Sequence, residues 1–213
     1  MKLIAINGSP RKKGNTALLL GKALEGAASA GARTELVHLY DLDYKGCVSC
    51  FACKLKDGPS RGRCVLNDGL RPLLDEIESA DAIALGSPIY LGAVSGEMRS
   101  FLERLIFQYI EYSVPARSHC PRKINTAFIY TMNVDEQGMD QAGYQAHLGA
   151  VEGMLAGALG SSESLYCCDT MQFDDYSKVV MERFDPEAKK RRREEVFPRD
   201  LEKAFALGVK LVS

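Results

Sequence analysis

Short apolar runs alternate along this chain with longer amphipathic stretches. Lys2–Ile6, apolar from Leu3 onward, has the pattern of a strand buried on both faces. A turn follows, then a helical pattern over Asn15–Ser29, where Leu18, Leu19, Ala23 and Leu24 recur at spacings that share one face. Thr34–Leu39 alternates as a second strand, and Asp43–Asn67, rich in Gly, Lys and Arg, reads as a loop. A helix over Asp68–Glu78 precedes a strand at Ala82–Gly86, a turn over Ser87–Gly92 and a helix from Ser95 to Tyr109. Ile124–Met132 is the fourth strand, Asp140–Leu159 a helix and Ser164–Cys168 the fifth strand. The last helix starts at Pro186, with Asp185 as its N-cap and proline at the first helical position.

Strands alternating with helices of this length predict an α/β fold, a parallel sheet covered by helices on both faces. Five strands suit, by analogy, the flavodoxin-like three-layer sandwich with strand order 2-1-3-4-5. The expectation is a single domain over residues 1–213. Two stretches exceed ordinary connections: a cysteine-rich insertion after the second strand, residues 43–67, and a C-terminal extension, residues 169–213, that opens with the long segment Asp169–Asp185. Long loops in compact domains usually serve function or contacts. The basic run Lys189–Arg193, flanked by glutamates, reads as a solvated helix face.

Composition narrows the function classes. Of 213 residues, 46% are hydrophobic and 26% charged, with 27 basic against 28 acidic side chains and a net charge of -1. That balance supplies no field for nucleic acid or an anionic membrane. No apolar run approaches the ~18–20 residues that span a bilayer, and Met1–Gly8 is too short a run for a signal peptide. The expected location is cytoplasmic. Seven cysteines in a reducing compartment point to metal, cluster or redox chemistry rather than disulfides.

The first strand–helix turn is built to hold an anion. Asn7-Gly8-Ser9-Pro10-Arg11-Lys12-Lys13-Gly14-Asn15-Thr16 carries small residues that let backbone N–H groups converge, and a helix N-terminus that adds free donors and its dipole. Ser9, Asn15 and Thr16 can donate to phosphate oxygens, and Arg11 can add a charge-assisted fork. Neither a G-x-G-x-x-G fingerprint nor a G-K-[ST] ending is present, which excludes a dinucleotide fingerprint and a P-loop. After the third strand, Pro88, Ile89, Tyr90, Leu91 and Gly92 offer a rigid loop, an aromatic face and backbone groups for the edge of a flat polar ring. After the fourth strand, Thr131-Met132-Asn133-Val134-Asp135 offers a third wall.

Gly8-Ser9-Pro10-Arg11 followed by Gly14-Asn15-Thr16, with Gly86-Ser87-Pro88-Ile89-Tyr90 later, resembles the NAD(P)H-dependent FMN reductase group over about Met1–Tyr109. The resemblance implies FMN held through its phosphate by Ser9, Arg11, Gly14, Asn15 and Thr16. It implies ring contacts from Pro88, Ile89, Tyr90, Leu91 and Gly92, and from Thr131 and Met132. It also implies NAD(P)H as co-substrate, a small acceptor such as quinone or free flavin, and a homodimer or homotetramer.

Cys47, Cys50 and Cys53 form a C-x2-C-x2-C run, with Cys64 after ten further residues. Four thiolates suit a [4Fe–4S] cluster, a structural zinc, or free and disulfide-linked thiols; zinc sites more often come as two separated pairs. The segment resembles that of the iron–sulfur flavoproteins, a branch of the same group, although its final gap is longer than the compact motif there. That resemblance implies a cluster and a ferredoxin-like electron donor. The alternatives are a pure electron carrier, or a zinc-stabilised protein binding another phosphate ligand. Cys120, Cys167 and Cys168 read as packing residues. His38, His119 and His147 sit in no recognisable catalytic setting, and no catalytic residue is assigned.

Overall fold

The computed structural model describes residues 1–213. Five parallel strands form the sheet: β1 (Lys2–Asn7), β2 (Arg33–His38), β3 (Ala82–Tyr90), β7 (Asn125–Thr131) and β8 (Glu163–Cys167). Their order is β2-β1-β3-β7-β8, the 2-1-3-4-5 arrangement expected by analogy with flavodoxin-like sandwiches. The helices are α1 (Asn15–Ser29), α2 (Arg71–Ile77), α3 (Gly96–Tyr109), α4 (Glu136–Gln141), α5 (Tyr144–Leu159), α6 (Pro186–Glu195) and α7 (Phe197–Leu211). Three two-residue strands complete the list: β4 (Ala93–Val94), and β5 (Ile110–Glu111) paired with β6 (Arg117–Ser118).

Alternation along the strands divides the core in two. Leu3, Ala5, Ala82, Ala84 and Ala127 face one side, with Leu19, Leu20 and Ala23 of α1 and Ala204 and Leu211 of α7. Ile4, Ile6, Ile83, Leu85, Phe128 and Tyr130 face the other, with Leu73 of α2, Phe101 and Leu105 of α3, and Leu155 of α5. The alanine-rich face lets α1 and α7 lie close to the sheet. The bulkier face holds larger side chains, including Phe128 and Tyr130 stacked at 4.2 Å between ring centroids.

Four sequence expectations are corrected. The turn over Ser87–Gly92 is mostly strand: β3 continues to Tyr90 and pairs antiparallel with β4, so only Leu91 and Gly92 turn. Both have positive φ, 51° and 80°, as a two-residue type I′ hairpin requires. The helix over Asp140–Leu159 is two helices, broken where Gly143 takes φ 67°. The last helix is also two, parting at Val196 with Pro198 in the first turn of α7. The run Lys189–Arg193 is not a solvated face, because Lys189 is only 2% exposed and Arg192 and Arg193 are partly buried. Asp185 does cap α6, accepting from the Glu187 amide at 2.9 Å.

Candidate functional site

The register aligns the carboxyl ends of three strands. Asn7 lies beside Gly86, Gly86 beside Ile129, and Pro88 beside Thr131, so the loops after β1, β3 and β7 leave the sheet at one edge. Because β2 and β3 flank β1 on opposite sides, the connections diverge there and open a crevice. A cleft of about 920 Å³ occupies it.

The first loop is folded by its own polar groups. Ser9 N–H donates to Asn7 Oδ1 at 3.0 Å, Arg11 N–H to Ser9 Oγ at 3.2 Å, and Gly14 N–H to the Arg11 carbonyl at 3.0 Å. Gly14 caps α1 without a side chain, and the Asn15, Thr16 and Ala17 amides have no intramolecular acceptor. The helix therefore opens on the cleft with free donors and its positive dipole end. Thr16 Oγ1 lies 2.8 Å from Thr131 Oγ1, joining the first wall to the third. Ser87 Oγ accepts from the Ser95 amide at 3.0 Å, and Ser95 Oγ donates to the Gly8 carbonyl, which stitches the second loop to the first.

Of the residues singled out by sequence, Ser9, Arg11, Gly14, Asn15, Thr16, Pro88, Ile89, Tyr90, Thr131 and Met132 line this one cleft. Leu91 and Gly92 do not; they form the hairpin tip, with Leu91 fully exposed. None of the three histidines lines it.

The structure adds a wall the sequence reading missed. Residues 170–175 and Arg193 border the cleft from the C-terminal side, and Asn133 extends the third wall. Asn15 Nδ2 donates to the Met171 carbonyl at 2.8 Å, Arg11 donates to the Gln172 carbonyl, and Arg193 donates to Asn15 Oδ1 at 3.0 Å. The only sequence signal for this wall is the unusual length of Asp169–Asp185. Asn133 Oδ1 is buried with no hydrogen-bond partner in the protein, which is uncommon for a buried acceptor.

The four clustered cysteines meet in a second place. Cys47, Cys50, Cys53 and Cys64 line one small pocket with Val48, Phe51, Val65, Leu66 and a face of α3 carrying Glu103, Arg104, Phe107 and Gln108. Ser49 and Phe51 have φ of 54° and 56°, which curls the C-x2-C-x2-C backbone around the pocket. Cys47 N–H donates to Glu103 Oε2 at 3.3 Å and Cys64 N–H to Gln108 Oε1 at 2.9 Å. Lys54 reaches the Phe107 and Ile110 carbonyls at the α3 C-terminus, where a cation is favourable.

Burial and the three other cysteines push the Cys53 thiol up, against Lys54. No three His, Cys, Asp or Glu side chains converge tightly enough to share one metal ion. The other three cysteines are packed, as expected: Cys167 and Cys168 are buried, Cys120 half-buried. Burial raises the Cys167 thiol and pushes Cys168 up to about 12.

Comparison with known proteins follows this geometry. The NADPH-dependent FMN reductase family is matched over residues 1–146. An iron-sulfur flavoprotein of Methanocaldococcus jannaschii is 39% identical over 104 residues, 49% of this chain and 51% of that protein. An iron-sulfur flavoprotein of Clostridioides difficile is 28% identical over 149 residues, 65% of this chain and 64% of that protein. The chain spans about half the length of several curated relatives it matches. Among solved structures, an NAD(P)H:quinone oxidoreductase from Methanothermobacter marburgensis superposes with a TM-score of 0.74 at 15% identity, covering 99% of this chain and 98% of that one. An FMN-dependent NADH-azoreductase from Bacillus anthracis, in complex with FMN, gives 0.67 at 12% identity, covering all of both chains. Likeness at that identity shows the shared fold.

Proposed function

We propose, from the premise that this chain belongs to the NADPH-dependent FMN reductase family, that it binds FMN in the cleft and passes electrons from NAD(P)H to a small acceptor such as a quinone or free flavin. The observation that carries the reading is the cleft itself: unpaired amides at the start of α1 open into a space of about 920 Å³ that Pro88, Ile89, Tyr90 and Asn133 also line.

FMN, when bound, supplies the redox chemistry, so the protein need only hold and orient it. The amides of Asn15, Thr16 and Ala17, with Ser9, Asn15, Thr16 and Arg11, receive the phosphate. Arg11 and Asn15 now spend donors on the carbonyls of Gln172 and Met171, and both can turn to a phosphate at the same loop. Pro88, Ile89 and Tyr90 form the wall for the ring, with Thr131, Met132 and Asn133 opposite. Leu91 and Gly92, at the exposed hairpin tip, are better placed for a second copy of the chain than for the ring, which supports a homodimer or homotetramer.

We further assign Cys47, Cys50, Cys53 and Cys64 to a [4Fe–4S] cluster. Support comes from four cysteines lining one pocket, from two buried N–H donors without acceptors at that pocket, and from the names of the relatives. This pocket also favours a second reading, in which electrons arrive singly from a ferredoxin-like donor and NAD(P)H turnover is negligible.

The test is an absorbance spectrum of anaerobically purified protein, with FMN, iron and acid-labile sulfide counted and NAD(P)H oxidation measured on the same sample. Flavin bands, about four iron and four sulfide per chain and NAD(P)H turnover are expected. Flavin and iron without turnover would make it a carrier. Flavin without iron would leave a plain reductase, and a colourless protein would overturn the FMN assignment.

A further inference from the structure

We propose that Arg104 and Gln108 of α3 are positioning residues for the four-cysteine centre, donating N–H hydrogen bonds to its sulfurs and thereby raising its reduction potential. This rests on the assignment of a cluster to Cys47, Cys50, Cys53 and Cys64.

Arg104 has no side-chain exposure, and its guanidinium is held from three directions. Nη1 donates to Asp68 Oδ2 at 2.6 Å and to the Lys45 carbonyl at 3.2 Å, and Nη2 to the Leu66 carbonyl at 3.2 Å. Those bonds tie down both ends of the cysteine segment. They leave Nε–H buried and without an acceptor. Gln108 repeats the pattern one turn later. Its Oε1 accepts the Cys64 amide at 2.9 Å, which explains why the residue is there, but its Nε2 is buried and unpartnered.

Both side chains line the cysteine pocket, whose other walls are largely apolar. A buried donor without an acceptor costs about 1–3 kcal/mol, and two on one face of one helix point to an acceptor that completes the site. The Glu103 carboxylate at this pocket already accepts from the Cys47 amide and Arg99, and the acceptors that remain are the cysteine sulfurs and whatever they ligate. Adding one electron to such a centre increases the negative charge on its sulfurs, so N–H donors favour the reduced form.

The experiment is an equilibrium redox titration with dithionite as reductant on anaerobically reconstituted full-length protein. Iron, sulfide and FMN are counted, and resonance Raman spectra are taken in H2O and D2O. Gln108→Met should keep iron and sulfide at wild-type content. It should lower the preference for the reduced centre about tenfold, which is about 59 mV for one electron. It should also diminish the D2O shift of the Fe–S modes, a signature that loop tethering alone does not move.

If Gln108→Met fails to assemble the centre, Arg104→Lys, which keeps the charge and removes the Nε donor, decides by the same readouts. Unchanged potential and unchanged D2O shift in a cluster-containing variant overturn this proposal and leave the cluster assignment standing. Wild-type protein that takes up no iron and sulfide overturns the assignment and this proposal together.

Discussion

Asn133 follows Thr131 and Met132 at the mouth of the cleft and keeps a buried Oδ1 with no partner. An unsatisfied acceptor destabilises the empty protein by about 1–3 kcal/mol, and a hydrogen bond returned by a ligand is worth about 0.5–1.5 kcal/mol. Asn133→Ala should therefore act with opposite signs on the two properties. Thermal unfolding of the FMN-free protein should move up or stay level, while FMN affinity, followed by flavin fluorescence, falls several-fold. A variant that loses stability and keeps affinity would show that Asn133 serves the fold instead. Sequence placed Asn133 in the loop of the third wall without singling it out, since a lone asparagine after a strand is also an ordinary turn residue. Ser9, Arg11, Asn15 and Thr16 were legible because four polar groups gather around Gly8 and Gly14 at a strand–helix turn, more than a turn needs.

Helices α1 and α7 approach so closely that glycine is the only residue that fits at their crossing. A Cβ built on Gly208 would lie 1.8 Å from the Ala23 carbonyl oxygen, and one on Gly26 would lie 2.0 Å from the Phe205 carbonyl oxygen. Backbone stands in the way at both positions, so no side-chain rotation relieves the clash. Overpacking of this kind typically costs about 1–3 kcal/mol, and Gly208→Ala should reach the upper part of that range in chemical denaturation. Gly153→Ala in α5 is the control, because nothing lies within 4 Å of its Cβ position. There the intrinsic preference of helices for alanine should stabilise by about 0.5–1 kcal/mol. Equal effects at the two sites would mean that α1 and α7 are not in backbone contact.

The elements whose existence was legible were those with a strong period, such as α1 and the strands β1, β3 and β7. Their ends were not. Ser87–Tyr90 carries a proline and small residues that imitate a turn, yet Ser87 and Pro88 pair with β7, and Ile89 and Tyr90 with β4, which makes it strand. Gly143 was invisible as a break because α5 contains three more glycines that sit in helix without one. The local signal was the same, and tertiary packing decided.

At the scale of the whole molecule, the last third of the chain closes the cleft that the first two thirds open. Asp169 N–H donates to the Val134 carbonyl at 2.6 Å and Thr170 N–H to the Met132 carbonyl at 2.9 Å, laying the segment along the third wall. Its next carbonyls take Asn15 and Arg11 of the first loop. What pins this strap is Lys189, a residue that composition alone assigns to solvent. Its ammonium meets Asp169 and the Asn133 carbonyl, 4.6 Å from the centre of the Phe184 ring.

Lys189→Met keeps most of the volume and removes the charge, leaving Asp169 with only a distant contact to Arg192, 3.8 Å away. Breaking a fully buried pair costs about 3–5 kcal/mol. The Asp169 side chain retains 23% exposure, so roughly 2 kcal/mol is the expected loss once water shares its charge. The loss should be local. Amide exchange should quicken across residues 168–176 while β1 and β3 stay protected, and FMN should dissociate faster with little change in its association rate. Uniform acceleration of exchange through the sheet would mean that Lys189 supports the global fold. Unchanged exchange at 168–176 would mean that the hydrogen bonds to Arg11 and Asn15 hold the strap without it.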